Sequence, residues 1–338
     1  MQVSFVILNW NVRDLLRDCL ASIVSDAGYE REVIVVDAAS SDGSADMVRA
    51  EFPGATLIAS SSNLGYSRGN NLGLGAARGE FLFILNPDTR LRVGAVSALL
   101  AYMAEHPRAG LLGPRLLDPD GSPQSSRRRW PTFWTALFES TWLQPYAPRR
   151  ILDRYYDQTA DGRRQSAVGS RQSPACPRQR VTRLPPSEGH PPAPVSGSPQ
   201  TVDWVTGAAL FLRREVLEMV GGLDEGFFMY SEELDWCRRI RAAGWEIVYV
   251  PAAEVIHFQK KSSQQAIPAD THIRFQRSKI RYFRKYHGLL PAGFLRALLL
   301  LSFLHQLILE SVKLALGHKP GLRRLRIATY WKVLRSGL

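Results

Sequence analysis

Short apolar runs alternate with helical patterns over the first 106 residues of the chain. The runs are five or six residues long, rich in Val, Ile, Leu and Phe, and almost continuously apolar, which is typical of strands buried on both faces. This alternation predicts an α/β fold with a doubly wound, mostly parallel sheet covered by helices. The predicted strands are residues 3–8, 32–36, 55–59 and 81–85, and the predicted helices are residues 15–24, 44–52, 70–77 and 95–106.

The second half of the chain breaks this alternation. Residues 157–200 carry eight prolines among Ser, Arg and Gln, with almost no periodic apolar positions. Such a segment buries too little apolar surface to offset the entropy of ordering it, so we predict a disordered insertion. Regular patterns then resume as a strand at 204–212, a helix at 215–220, a helix from a Ser231 cap to Gly244, and strands at 247–250 and 254–258.

The C-terminal region, residues 270–338, contains the longest apolar stretch and most of the positive charge. The chain has a net charge of +12, and from Arg274 onward there are fourteen Lys and Arg against one acidic residue. Residues 293–316 are largely apolar but are interrupted by Arg296, Glu310 and Lys313. This pattern favours an amphipathic helix lying on an anionic membrane surface, with packing on the domain or on a second subunit as the alternative.

The distribution of charge and cysteine excludes several classes of protein. Because the first 273 residues are nearly neutral, a nucleic-acid-binding protein with basic residues spread over one face is not favoured. Three cysteines without metal-ligand spacing describe neither a disulfide framework nor a zinc site. The chain begins with a predicted strand and no targeting signal, so we expect a cytoplasmic protein attached peripherally to the inner face of the cell membrane.

Polar residues follow each of the early predicted strands. They are Asn9 and Asn11 after the first, Asp37 after the second, Asn71 beyond the third, and Asn86 and Asp88 after the fourth. The carboxyl ends of parallel strands share one edge of a sheet, where ligands bind, so these residues are expected to converge on one site. Taken singly, Asp37 could be a helix cap or turn residue, and residues 86–88 an ordinary turn.

The absence of certain motifs argues against some classes of enzyme. No G-x-G-x-x-G follows the first strand, and no G-x-x-x-x-G-K-[ST] occurs, which disfavours a dinucleotide enzyme and a P-loop NTPase. The site is instead rich in carboxylates and amides. If it binds a phosphate ester, a divalent metal must supply positive charge, and Asp88 is an oxygen ligand suited to Mg²⁺ or Mn²⁺.

A second acidic cluster, Glu232, Glu233 and Asp235, falls in the first turn of a predicted helix. Adjacent helical residues point about 100° apart, so Glu232 and Glu233 cannot both face one ligand. One would be catalytic and the other structural, although a charged capping turn explains the same pattern. His257 ends a later strand, where a lone histidine is more often a core residue than a ligand.

At these residues the sequence resembles the family 2 glycosyltransferases, in particular their bacterial rhamnosyltransferase and galactofuranosyltransferase branch. The resemblance covers residues 3–260 apart from the insertion. Each motif is loose alone, but their order is specific. The motifs are VILNWN (6–11), VVDAASSDGS (35–44), NLGY (63–66), LNPD (85–88), TGA (206–208), FFMYSEELD (227–235) and the downstream His257.

The resemblance implies a GT-A fold and an inverting, metal-dependent transfer from a nucleotide-diphospho-sugar. By position, it implies that Glu233 is the catalytic base and that Asp88 and His257 hold Mg²⁺ or Mn²⁺, which reverses the core interpretation of His257. It places Asn9, Asn11, Asp37, Asn71, Asn86 and Asp88 at the donor. Ala38 departs from the family pattern, which usually has Asn or Asp there.

The domain division expected from this resemblance has three folded parts. Residues 1–115 form a nucleotide-sugar-binding half, residues 116–156 and 201–269 an acceptor and catalytic half, and residues 270–338 a membrane-associating tail. A membrane-bound tail suits a polyprenyl-diphosphate-linked saccharide acceptor, and rhamnose is the first sugar suggested. A sugar-phosphate nucleotidyltransferase is disfavoured because no Gly-rich basic loop follows the first strand, and an inactive GT-A protein stays open because of Ala38.

Overall fold

The computed structural model describes residues 2–139, 141–156, 197–258 and 268–338. Its strands are β1 (Gln2–Asn9), β2 (Glu30–Ala38), β3 (Thr56–Ser60), β4 (Phe81–Leu85), β5 (Thr89–Leu91), β6 (Ala109–Leu117), β7 (Arg127–Arg128), β8 (Gln200–Thr201), β9 (Trp204–Val205), β10 (Ala209–Arg213) and β11 (Glu246–His257). Its α-helices are α1 (Arg13–Ser25), α2 (Ser44–Glu51), α3 (Gly65–Ala76), α4 (Ala95–Glu105), α5 (Phe133–Phe138), α6 (Arg149–Tyr155), α7 (Arg214–Val220), α8 (Glu232–Ala242), α9 (Pro268–His287), α10 (Leu289–Ala315) and α11 (Pro320–Arg335).

A twisted central sheet runs in the order β3-β2-β1-β4-β10-β6-β11-β5, with β8 paired to β11. Strands β1 to β4 are mutually parallel, β6 is parallel to β11, and β10 joins the two groups by antiparallel pairing with β4 and β6. Separate apolar cores cover the two faces, one packed with α1, α2 and α4 and the other with α3, α7 and α8. The predicted α/β fold with a mostly parallel sheet is therefore confirmed.

Strand β6, which the sequence patterns do not reveal, lies in the middle of this sheet. Its sequence contains Gly110, Gly113 and Pro114, residue types that are usually strand breakers. Close packing explains the glycines: a Cβ on Gly113 would lie 2.7 Å from the Val205 side chain, and one on Gly110 would lie 2.7 Å from Trp245. Contacts with residues that are distant in sequence therefore require these glycines. The same glycines prevent the strand from being recognised in the sequence pattern.

Three other local predictions differ in detail. The strand expected at 204–212 is split into β9 and β10, because β9 pairs with β7 whereas β10 joins the central sheet. The two strands expected at 247–258 form one strand, β11, with a register shift between Val250 and Glu254. Ser231 occupies the N-cap of α8 in a left-handed conformation and makes no side-chain cap bond.

Helix α9 packs directly on the part of the chain that precedes it. Tyr282 and Phe283 are buried in the same core as α8. The Lys285 ammonium lies 2.6 Å from the Asp235 carboxylate, and both Lys285 and Arg281 pair with Asp224. Helix α9 is therefore part of the fold, although the expected boundary at residue 270 assigned it to the tail. Some of the tail's positive charge neutralises the carboxylates of Asp224 and Asp235.

Helices α10 and α11 continue from α9 as a packed hairpin. Leu295 and Leu299 of α10 enter the core, and Glu310 is buried between the helices with Arg323 2.5 Å away. Among the described residues, α10 is long and apolar enough to cross a membrane by length and composition, and only 22% of its most apolar stretch is buried. Of the insertion expected at 157–200, residues 157–196 lie outside the described residues, and Gln200 belongs to β8.

Candidate functional site

The ends of β1 and β2 place the first predicted site residues side by side. Asn9 pairs with Asp37 in the parallel register, and both residues are buried. The Asn9 amide donates to the Asp37 carboxylate at 2.9 Å and to the Ser40 hydroxyl at 3.1 Å, while the Ser40 backbone N–H donates to Asp37 at 3.0 Å. These contacts fix the loop after β2.

Asn11 joins the same loop from the end of β1. It lies in the left-handed region (φ 54°), which asparagine tolerates better than most residues. Its backbone N–H donates to the Ser40 hydroxyl, and its side-chain oxygen accepts the Ser41 N–H at 2.6 Å. The structure therefore brings Asn9, Asn11 and Asp37 together through contacts within the protein, and their contact with a nucleotide stays a prediction.

A cavity of about 110 Å³ opens at this edge of the sheet. The ends of three parallel strands form one part of its wall. The segment before α8 and the first turns of α9 form another part. Its lining is Leu8, Trp10, Ala38, Asn63, Gly65, Tyr66, Asn86, Pro87, Phe228, Met229, Tyr230, Thr271 and Arg274. Of the polar residues predicted at the strand ends, Asn86 lines this cavity, and two residues of the expected tail, Thr271 and Arg274, complete the wall.

Asp88 and His257 meet beside this cavity. Asp88 is buried, and its carboxylate Oδ1 lies 3.5 Å from Nε2 of His257. Strand pairing sets this distance, because His257 on β11 is the antiparallel partner of Thr89 on β5, the residue after Asp88. The two residues that the family resemblance names as metal ligands are therefore neighbours.

Gln124 determines which nitrogen of His257 carries a proton. Its amide nitrogen lies 2.6 Å from the His257 carbonyl, 2.9 Å from Asp118 Oδ1 and 3.1 Å from the Leu117 carbonyl, all acceptors. The amide oxygen therefore faces His257 Nδ1 at 3.0 Å and accepts its proton. In the neutral ring Nε2 is then an unprotonated acceptor facing a carboxylate oxygen.

Two lone-pair-bearing atoms 3.5 Å apart, Asp88 Oδ1 and His257 Nε2, suit a cation placed against both. A metal-bound histidine usually donates its other ring N–H to an outer partner, and Gln124 makes a contact of this kind with His257. No group of three His, Cys, Asp or Glu side chains with metal-binding geometry occurs in the described part of the chain. The residues present fit a divalent ion that takes two ligands from the chain and the rest from substrate oxygens or water.

Glu233 lies at the start of α8 with Glu232. Burial raises the pKa of Glu233, and a hydrogen bond from the Gly207 backbone N–H acts in the opposite direction. Glu232 is buried, and burial together with the Glu233 charge raises its pKa well above the ordinary value. Oε2 of each residue is buried without a hydrogen-bond partner. A carboxylate with a free buried oxygen can accept a proton from a bound hydroxyl group.

Tyr66 lies between the cavity and Gly207, the residue whose backbone N–H bonds to Glu233. Its hydroxyl donates to the Gly207 carbonyl at 2.5 Å, and its ring lines the cavity wall. Burial raises the pKa of Tyr66 well above its usual value, and the charges of Glu232 and Glu233 contribute. Tyr66 belongs to the N-x-G-Y motif, but nothing in the sequence assigned it a role of its own.

Asn71 makes different contacts from those expected of a donor-binding residue. Its amide nitrogen donates to the Leu223 carbonyl at 2.8 Å, and its oxygen accepts the Leu223 N–H at 2.8 Å. These bonds tie α3 to the segment before α8, and Asn71 is not part of the cavity wall. Its predicted donor contact therefore gains no support from the geometry.

Arg274 and Gln124 are site residues that sequence reasoning missed. Arg274 lies in the region taken as a tail, and Gln124 lies in a stretch without recognisable periodicity. Neither belongs to a motif, so only the fold could place them beside the strand ends.

Comparison with known proteins identifies the family of the chain. Residues 4–172 match the family described as glycosyl transferase family 2, and residues 193–334 match glycosyl transferase family group 2. The N-acetylglucosaminyl-diphospho-decaprenol L-rhamnosyltransferase of Mycobacterium tuberculosis is 31% identical over 255 residues, which are 72% of this chain and 72% of that protein. The rhamnosyltransferase WbbL of Escherichia coli is 41% identical over 61 residues, 18% of this chain and 23% of that protein.

Solved structures show the same fold at low identity. The mannosyltransferase PcManGT from Pyrobaculum calidifontis, in complex with GDP-Man and Mn²⁺, is 16% identical and superposes with a TM-score of 0.51, covering 99% of this chain and 87% of that one. S. aureus TarS 1–349 in complex with UDP-GlcNAc is 13% identical with a TM-score of 0.51, covering 99% of this chain and 82% of that one. With the family match and the relative that is 31% identical, these results show that the chain is a glycosyltransferase and belongs to glycosyl transferase family 2.

Proposed function

We propose that the protein is an inverting, metal-dependent glycosyltransferase that moves rhamnose from a nucleotide-diphospho-sugar to a polyprenyl-diphosphate-linked saccharide in the synthesis of a cell-surface polysaccharide. The observation that carries the proposal is the arrangement at one sheet edge: the Asp88–His257 pair, a cavity over the strand ends, and Glu233 with a free buried oxygen. On this proposal the Asp88–His257 pair serves the leaving diphosphate and Glu233 serves the attacking hydroxyl.

Glu233 acts as the general base. Its unpartnered oxygen accepts the proton of the acceptor hydroxyl as that oxygen attacks the anomeric carbon, and such help is typically worth about 10²- to 10⁴-fold in rate. Attack from the side opposite the leaving nucleoside diphosphate inverts the anomeric configuration in one step. The Gly207 N–H keeps the carboxylate in place during the transfer.

Asp88 and His257 would hold the divalent ion, with Gln124 orienting the imidazole. When bound, the ion neutralises the negative charge that develops on the departing diphosphate. The Mn²⁺ held by the Pyrobaculum calidifontis mannosyltransferase together with GDP-Man supports a metal of this kind. Asn9, Asn11 and Asp37 support the loop beneath the nucleotide, and Asn86 faces the donor from the cavity wall.

The sugar and acceptor are proposed from the relatives' names. The Mycobacterium tuberculosis relative is named for transfer of L-rhamnose to N-acetylglucosaminyl-diphospho-decaprenol, and the Escherichia coli relative is also named a rhamnosyltransferase. A lipid-linked acceptor places the enzyme at the inner face of the cell membrane. On this proposal residues 1–115 bind the donor and residues 116–156 with 201–269 bind the acceptor.

Helix α10 provides the membrane contact. Its side facing away from the core exposes large apolar side chains at helical spacing, where an anionic bilayer would bury them. Among the described residues, no carboxylate pairs with the exposed cations Arg284, Lys319 and Arg324, which leaves them for lipid headgroups. The exposed apolar residues of α10 are Leu289, Leu290, Phe294, Leu301, Leu304, Ile308 and Val312.

The test is transfer by the purified chain. It is incubated with dTDP-rhamnose, UDP-GlcNAc or GDP-mannose, with Mg²⁺ or Mn²⁺, and with polyprenyl-diphosphate-GlcNAc as acceptor. We expect transfer from dTDP-rhamnose that stops on chelation and gives a product of inverted anomeric configuration by NMR. A retained configuration would refute the mechanism, and failure to consume any donor would favour the inactive GT-A protein that Ala38 suggests.

A further inference from the structure

Arg274 extends from the second turn of α9 into the cavity over the strand ends. It lines the wall together with Asn86 and Pro87, the residues directly before Asp88. Its guanidinium carbon lies 4.3 Å from the centre of the Phe228 ring, so the cation is stacked on an aromatic face. Stacking restrains the guanidinium plane while its N–H edge stays available for hydrogen bonds.

The other basic residues of α9 that reach the catalytic part are already paired. Lys279 donates to the Ala136 and Glu139 carbonyls, Arg281 pairs with Asp224, and Lys285 pairs with Asp235. Arg274 is half-buried, and within the described ranges no carboxylate lies within ion-pair distance of it. A partly desolvated cation without a counter-ion is costly unless a bound anion compensates it.

We infer that Arg274 binds the diphosphate of the nucleotide-sugar, so that the helix following the catalytic part contributes directly to donor recognition. The inference rests on the proposed function. A guanidinium forms paired hydrogen bonds with phosphate oxygens, which matches a diphosphate better than a sugar or a neutral base. The neighbouring Thr271 hydroxyl, one turn earlier on the same cavity wall, is the only other α9 group in the described lining.

The experiment compares nucleoside diphosphates with nucleoside monophosphates, since the outer phosphate distinguishes this role from general support of the fold. Binding of dTDP, dTMP, UDP and UMP to the full chain with Mg²⁺ is measured by calorimetry for wild type, Arg274→Ala and Arg274→Lys. The control is Arg277→Ala, which removes an exposed arginine of the same helix whose contact is the Ser336 carbonyl at 3.4 Å.

Arg274→Ala should weaken diphosphate binding by about 10- to 100-fold and monophosphate binding by less than about 3-fold, because one charge-assisted contact is lost. Arg274→Lys should recover part of the difference, and Arg277→Ala should match wild type. Equal loss for both nucleotide classes, or wild-type binding by Arg274→Ala, overturns the assignment of Arg274 alone. If wild type binds none of the four nucleotides, the proposed function falls together with the inference.

Discussion

Nε2 of His257 lies 3.5 Å from Oδ1 of Asp88, across the antiparallel pairing of β5 with β11. The backbone N–H of Phe258 also donates to the Asp88 carbonyl at 2.9 Å, so both the main chain and the side chains fix the pair. A loop residue and the last residue of β11 thus form one unit. Gln124 orients the imidazole of this pair, and the proposed metal binding should therefore depend on Gln124.

Replacing Gln124 by Leu should weaken binding of the divalent ion. The substitution keeps the bulk but removes the acceptor for His257 Nδ1, so the ring loses its fixed tautomer and orientation. Loss of an outer partner of this kind typically costs about 10- to 100-fold in metal affinity. Mn²⁺ binding in the presence of a nucleoside diphosphate, followed by electron paramagnetic resonance, measures the effect without relying on turnover.

Two further variants calibrate that measurement. Asp88→Asn should reduce Mn²⁺ affinity at least as much as Gln124→Leu, because it removes a ligand charge. Asp46→Asn removes an exposed carboxylate of α2 and should leave the affinity unchanged. Wild-type affinity in Gln124→Leu would show that the amide does not orient a ligand.

Replacing Glu233 by Gln should lower kcat by about 10²- to 10⁴-fold while donor binding persists, since the amide cannot accept the acceptor's proton. Burial raises the pKa of Glu233, so in wild type kcat/KM should fall as the pH drops through a value above that of an ordinary glutamate. The pH profile of kcat/KM and donor binding by calorimetry test both parts. Full activity in Glu233→Gln would remove this residue from the mechanism.

Glu232 should make the fold less stable as the pH rises. Burial and the neighbouring Glu233 charge raise the pKa of Glu232, so the folded state binds its proton more tightly than the unfolded state. Stability from this group is complete below the unfolded-state pKa and is lost as the pH rises toward the folded-state value. Glu232→Gln should therefore stabilise the protein at high pH, and urea unfolding at pH 6 and pH 8.5 measures the difference. An unchanged pH slope in the variant would mean that the Glu232 charge is compensated in the folded state.

The strands and the edge on which they end could be predicted because both depend on local patterns. Val3 to Leu8 and Phe81 to Leu85 are apolar runs, and each is followed by polar residues at the carboxyl end. Strand β6 could not be recognised, since its glycines are required by Val205 and Trp245, which are distant in sequence. Local periodicity carries no information about such partners.

The roles of individual site residues were less predictable than their position. Asn71 follows a motif yet bonds to Leu223, whereas Arg274 belongs to no motif and lines the cavity. The distribution of charge along the chain suggested a tail set apart from a neutral catalytic part. The ion pairs of Asp224 and Asp235 with α9 show that net charge along the chain does not determine where the charges lie in space.

Gly65 should not tolerate a side chain. It lies at the start of α3 with φ +74°, and an added Cβ would lie 2.6 Å from both the carbonyl oxygen and the ring of Phe228. The left-handed conformation alone costs a non-glycine residue about 1–2 kcal/mol, so Gly65→Ala should destabilise the protein by at least about 2 kcal/mol once the steric clash is included. Guanidinium chloride unfolding provides the measurement.

Gly75 supplies the matched control in the same helix. It has no neighbouring atom within 4 Å of an added Cβ, so Gly75→Ala should stabilise the protein by about 0.5–1 kcal/mol through helix propensity. If Gly65→Ala behaved like Gly75→Ala, the close approach of Gly65 to Phe228 would be incorrect. In that case the wall of the cavity would differ from the one described.

The outward face of α10 should determine membrane binding. Leu301 and Ile308 are 58% and 57% exposed and lie two turns apart on the face opposite the buried Leu299 and Phe303. Burying each apolar side chain contributes about 1.5–3 kcal/mol, so the double variant Leu301→Glu/Ile308→Glu should bind vesicles of phosphatidylglycerol at least on the order of 10²-fold more weakly. Glutamate also adds repulsion from the anionic surface.

The control places the same charges on exposed apolar residues elsewhere. Val93 and Met219 are 89% and 63% exposed, and Val93→Glu/Met219→Glu should bind the vesicles as wild type does. Cosedimentation with vesicles and size-exclusion chromatography are run on all three proteins. Equal cosedimentation of the α10 variant and wild type contradicts membrane docking through this face, and conversion of a wild-type dimer to a monomer by the α10 substitutions would assign the face to a second copy of the chain.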